Sequence, residues 1–133
     1  MEPVRSIEGE EGGPAEYRTL PHNIEAEQAL LGAILINNEA VNRVSAFLTP
    51  EDFFERIHGR IFEAATKLIE RGQIATPVTL KHFFEDDEAL ADVGGGQYLA
   101  RLAGAAVTII NAGDYGRAIH DLALRRQLIQ IGE

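Results

Sequence analysis

The chain has 133 residues, no cysteine and a formal net charge of −9. A length of this order suggests one domain, able to bury about two-thirds of its surface without a staple, and the missing thiols exclude disulfides and thiolate metal centres. The acidic excess falls in residues 1–20 and 51–92, whereas residues 111–133 carry three charges of each sign. With no basic stripe to neutralise phosphates, the chain is a poor candidate for gripping nucleic acid by itself.

Residues 1–20 read as a disordered acidic, glycine-rich leader. Glu8-Gly9-Glu10-Glu11-Gly12-Gly13-Pro14 has little to bury in return for the entropy of ordering. The folded part, 21–133, begins at Pro21. Asn23 is a good N-cap, and Glu25 and Glu27 sit where the helix dipole favours negative charge. Ala26, Ala29, Leu30, Ala33 and Ile34 form one stripe, and Leu31 and Leu35 widen it, so this helix is expected to be largely buried. Gly32 lowers helix propensity and predicts the close approach of another helix. A shorter helix follows, with Val41, Val44, Phe47 and Leu48 on one face.

Thr49-Pro50-Glu51-Asp52 is a helix start signal, and Phe53 and Phe54 follow it as anchors. The clearest helical spacing runs through Ile57, Ile61, Ala65, Leu68 and Ile69, and Gly72 stops it. Thr76-Pro77 repeats the start signal, with Leu80, Phe83 and Phe84 on the buried side. An acidic turn over residues 85–88 and Gly94-Gly95-Gly96 lead to a short helix with Tyr98, Leu99 and Leu102. Asn111 is a cap for the last helix, whose face holds Tyr115, Ala118, Ile119, Leu122, Ile129 and the stem of Arg126. That face continues almost to the last residue, and we expect Glu133 to be a cut within a longer protein. No strand alternation competes with this pattern. The expected fold is all-α, one compact bundle of about six helices with a long final helix leading toward a helical hairpin.

Catalytic chemistry is hard to find in these residues. A phosphate-cradling loop needs a lysine after glycine, and neither Lys67 nor Lys81 has one. Glu55 and His58 match one half of a bundle di-metal motif, but no second Glu-x-x-His accompanies them. Thr49 and Thr76 are explained as caps, and Glu51 and Asp52 as first-turn acids. We therefore expect no catalytic, cofactor-binding or metal-binding residue in this chain. Tyr98, Tyr115, Arg125 and Arg126 are candidates for a protein interface, being of the types that anchor such surfaces. A free-standing helical DNA-binding module, or a small metal enzyme built on Glu55 and His58, would be the alternatives.

The ordered motifs also resemble a known family. Pro21-His22-Asn23-Ile24-Glu25-Ala26-Glu27-Gln28-Ala29-Leu30-Leu31-Gly32, Leu48-Thr49-Pro50-Glu51-Asp52-Phe53-Phe54 and His58-Gly59-Arg60-Ile61-Phe62-Glu63-Ala64 are similar to the N-terminal domain of DnaB-type bacterial replicative DNA helicases. So are Val78-Thr79-Leu80, Val93-Gly94-Gly95 with Tyr98-Leu99, and Asn111 with the Tyr115 helix through Leu124-Arg125-Arg126. Gly96 departs from the bulky residue that the family often carries there. The resemblance implies a non-catalytic collar of a hexameric, ATP-dependent helicase, built from pairs of neighbouring subunits. It further implies recruitment of primase and a helicase loader. ATP, Mg and single-stranded DNA would belong to a motor domain absent from this chain. No membrane role is implied, and the cytoplasm is the expected location.

Overall fold

In a computed structural model, residues 20–106 and 109–132 are described; the leader expected over residues 1–20 therefore lies almost wholly outside them. The described residues form six α-helices and two 3₁₀ segments, with no strand. The helices are α1 (Ile24–Ile36), α2 (Arg56–Glu70), α3 (Pro77–Phe83), α4 (Glu88–Asp92), α5 (Gly96–Gly104) and α6 (Ile109–Gly132). The 3₁₀ segments, Asn38–Arg43 and Pro50–Asp52, lie between α1 and α2.

Helix α1 is the centre of the bundle, packing against α2, α5, α6 and the first 3₁₀ segment. Asn23 starts it by accepting the Ala26 N–H at 3.0 Å. Leu30, Leu31 and Ile34 are completely enclosed. Gly32 does what its position predicts: a Cβ there would stand 2.0 Å from the Leu102 carbonyl oxygen of α5. Two more glycines permit crossings of this kind. A Cβ at Gly59 would meet the Pro50 carbonyl oxygen at 2.4 Å, and one at Gly116 would meet Val44 Cγ1 at 2.3 Å.

Helix ends follow the local signals closely in the middle of the chain. Beyond α2, the Gln73 N–H donates to the Leu68 carbonyl and the Gly72 N–H to that of Ile69, both at 2.9 Å, with Gly72 at φ +78°. That pair of bonds is the Schellman closure, which needs a left-handed residue and so glycine. At α3, Thr76 and Thr79 cap each other reciprocally: each backbone N–H donates to the other's hydroxyl oxygen.

Five expectations change. Residues 41–48 form a 3₁₀ segment and turns instead of an α-helix, and Thr49-Pro50 opens only one 3₁₀ turn, because α2 does not start until Arg56. The acidic stretch contains helix α4, since Asp87 caps it by accepting the Leu90 N–H at 3.1 Å. Phe83 is half exposed, because seven-residue α3 turns only Leu80 fully inward and leaves Phe84 to close the core just after it. Asn111 is not a cap, as α6 is already helical at Ile109. Helix α6, at 24 residues, is about 36 Å long, and everything from Gln127 to Ile131 is exposed.

Candidate functional site

Two regions concentrate polar chemistry or uncovered apolar surface. The first is internal. Glu27 of α1 and His58 of α2 are 2% and 1% exposed, an unusual depth for ionisable groups unless they are paired. They are paired with each other, His58 Nδ1 lying 2.8 Å from Glu27 Oε1. The carboxylate also accepts the backbone N–H groups of Phe54, at 2.6 Å, and Glu55, at 3.3 Å. It thus satisfies backbone donors at the start of α2, where no side chain caps the helix. On the other side of the ring, His58 Nε2 is 2.5 Å from the Tyr98 hydroxyl of α5, and the two rings stack with an interplanar angle of 6°. Gln28 Nε2 donates to that hydroxyl at 3.3 Å. Burial raises the Tyr98 pKa, opposed by the Gln28 hydrogen bond and Arg101, with Glu55 and Glu27 adding to the rise.

This geometry leaves the Glu55–His58 pair without metal-site character. Glu55 contributes its backbone to Glu27, and both imidazole nitrogens of His58 already have partners. Among the described residues no group of three or more histidine, aspartate or glutamate side chains gathers around a common point. The significance of Glu27 was invisible in the sequence, where a first-turn acid is explained by the dipole. The available signal was its place opposite Gly32 on a helix buried nearly all round.

The second region is α6. Its core face runs through Ala112, Gly116, Ile119 and Ala123, all buried. Further along, Arg126 folds back onto the body. Its Nη1 donates to the Pro21 carbonyl and its Nη2 to the Asp52 carbonyl, each at 2.7 Å, while its guanidinium lies over the Phe54 ring. His22 stacks on that same ring at 4.2 Å. Beside them, His120 Nδ1 lies 3.1 Å from Asp52 Oδ2, which also accepts the Thr49 N–H. Away from this clamp, Leu124, Leu128 and Ile131 are 45%, 68% and 80% exposed. Their spacing of four and then three residues puts them on one face of the helix.

The four interface candidates are therefore not one cluster. Tyr98 belongs to the internal network, Tyr115 packs against the core, and Arg126 is the clamp. Arg125 is exposed on α6, next in sequence to Leu124. Sequence reasoning missed the uncovered leucine–isoleucine stripe, because periodicity marks an apolar face without saying whether anything covers it.

Comparison with known proteins gives a consistent result. The family model described as DnaB-like helicase N terminal domain matches residues 19–121. The replicative DNA helicase DnaB of Rickettsia conorii is 52% identical over 116 residues, covering 87% of this chain and 24% of that protein. That of Geobacillus stearothermophilus is 37% identical over 113 residues, 85% of this chain and 25% of its own length. The chain thus spans about a quarter of the relatives it matches. The crystal structure of the N-terminal domain of DnaB helicase from Mycobacterium tuberculosis superposes with a TM-score of 0.79 at 32% identity, covering 86% of this chain and 83% of that one.

Proposed function

This chain belongs to the DnaB-like helicase N-terminal domain family, and from that footing we propose that it serves as the assembly and recruitment collar of a longer replicative DNA helicase. The observation that carries the proposal is the Leu124–Leu128–Ile131 stripe. It lies on a helix end that outruns its own core, and a neutral stretch of chain surrounds it. Fully burying an exposed leucine or isoleucine contributes about 1.5 to 3 kcal/mol, and covering these three partly exposed side chains gains a share of that, which favours helix pairing when several copies come together. In this reading α6 is the first arm of a helical hairpin, the stripe packs into the pairing surface, and Arg125 lies at its rim. Tyr115 and Arg126 contribute indirectly, by fixing how α6 leaves the body, and Tyr98 by holding α5 to the internal network.

The longer protein would pair its subunits within a hexameric ring, and the collar would receive primase and a helicase loader. The acidic excess of the chain favours basic surfaces on such partners. ATP and Mg would serve a motor domain outside this chain, and single-stranded DNA would be held by that motor. The proposed place of action is the cytoplasm; among the described residues no helix is long and apolar enough to cross a membrane.

The test is the mass of the full-length protein in solution. Leu128→Glu combined with Ile131→Glu is expected to break the ring into smaller species while leaving the helical content of this domain unchanged. A hexamer that survives both substitutions at low concentration would remove the assembly role. Retention of primase on the immobilised wild-type protein tests recruitment separately.

A further inference from the structure

Helix α5 is only nine residues long, and its N-terminal connection turns through two glycines, where the Gly95 N–H donates to the Leu90 carbonyl and the Gly94 N–H to that of Ala91. Gly94 has φ +117° and Gly95 φ +62° with ψ −138°, values that side-chain-bearing residues avoid. Leu99 and Leu102 press the helix onto α1. Among the described residues, every side-chain hydrogen bond from α5 to another helix passes through one atom, the Tyr98 hydroxyl oxygen.

The geometry points to a one-way hydrogen-bond chain, Gln28 to Tyr98 to His58 to Glu27, that latches α5 onto α1 and α2. The direction follows from counting hydrogens. Glu27 already takes two backbone N–H groups as a carboxylate, so the proton between it and His58 resides on Nδ1. Tyr98 receives the Gln28 amide on its oxygen and has Nε2 as the acceptor for its own O–H. A second proton on the ring would make Nε2 the donor to the Tyr98 oxygen and turn the tyrosine O–H away, so the chain in this direction has one proton on the ring, at Nδ1. The charged groups facing Tyr98 are Glu27, Glu55 and Arg101. The elevated tyrosine pKa, caused first by burial, keeps the hydroxyl proton in place. This inference concerns the mechanics of the domain itself and does not depend on the collar proposal.

Two measurements test it on the 133-residue chain. Long-range ¹H–¹⁵N NMR at neutral pH is expected to show His58 with a protonated Nδ1 and a bare Nε2. The opposite tautomer, or a doubly protonated ring, would overturn the chain. Native-state hydrogen exchange then tests the latch. Tyr98→Phe keeps the ring and removes one oxygen, and should speed exchange of the α5 amides by on the order of tenfold, the equivalent of one lost hydrogen bond. Asn38→Ala, which loses bonds to Ile34 and Ala75 and none to α5, should speed exchange only in amides that open with the whole domain. Unchanged α5 amides in Tyr98→Phe, or equal acceleration of them by Asn38→Ala, would show that α5 has no separate latched opening.

Discussion

Replacing Gly32 by alanine is expected to destabilise the domain, against the usual rule. In an unobstructed helix interior this substitution gains about 1 kcal/mol. Here the new methyl would lie 2.0 Å from the Leu102 carbonyl oxygen and 3.3 Å from Ala106 Cα, both backbone atoms that no rotamer change can move aside. Restoring an ordinary contact near 3.5 Å needs a retreat of about 1.5 Å between α1 and α5. That retreat would open the packing around Leu99 and Leu102, both buried. Overpacking costs about 1 to 3 kcal/mol, and partial loss of two leucines adds a similar amount. After subtracting the propensity gain, the net loss is about 1 to 5 kcal/mol, centred near 3. Urea unfolding followed by circular dichroism would measure it, with a midpoint temperature lower by roughly 10 °C as a second readout. Gly104→Ala is the matched control. That glycine ends α5 with nothing within 4 Å of a new Cβ, so stability should hold or rise slightly. A Gly32→Ala variant as stable as the wild type would refute the close-approach argument.

Glu27→Ala should be more damaging still, by about 3 to 5 kcal/mol, because it strands the Phe54 and Glu55 N–H groups and His58 in a dry interior; equilibrium unfolding measures the loss. Arg126→Lys retains the charge but cannot reach the Pro21 and Asp52 carbonyls together. Faster limited proteolysis near Pro21 and a stability loss of about 1 to 2 kcal/mol are expected. Asp87→Asn probes pH dependence. Burial works against the Asp87 carboxylate, but the Leu90 N–H, Arg60 and the Ala89 N–H outweigh it and lower its pKa. A depressed folded-state pKa gives stability that is present above the unfolded value and lost as pH falls through the folded one. The stability gap between wild type and Asp87→Asn should therefore be constant near neutrality and close below about pH 4.

The parts of the fold legible in the sequence are those set within a few residues. Asn23, Gly72 and Thr76 each act on backbone groups three positions away, and each does what its identity dictates. Gly32 was legible as a site of close approach, although its partner was not. The Glu27–His58–Tyr98 network was illegible because its bonds join residues 31 and 40 positions apart, a distance over which periodicity carries no information. Helix α4 was hidden for another reason: only Leu90 is buried in it, too little for an amphipathic pattern, while its cap looks like one more acid in an acidic run. On α6 the pattern was read correctly as an apolar face. How far the core extends beneath it is a property of the other helices, which leave Ile129 at the surface.

Arg126 has a mechanical consequence. Because its guanidinium bridges Pro21 and Asp52, the far end of α6 cannot swing away from the body without breaking two hydrogen bonds to main-chain carbonyls. A pull on that end would be shared between this bridge and the buried face from Ala112 to Ala123.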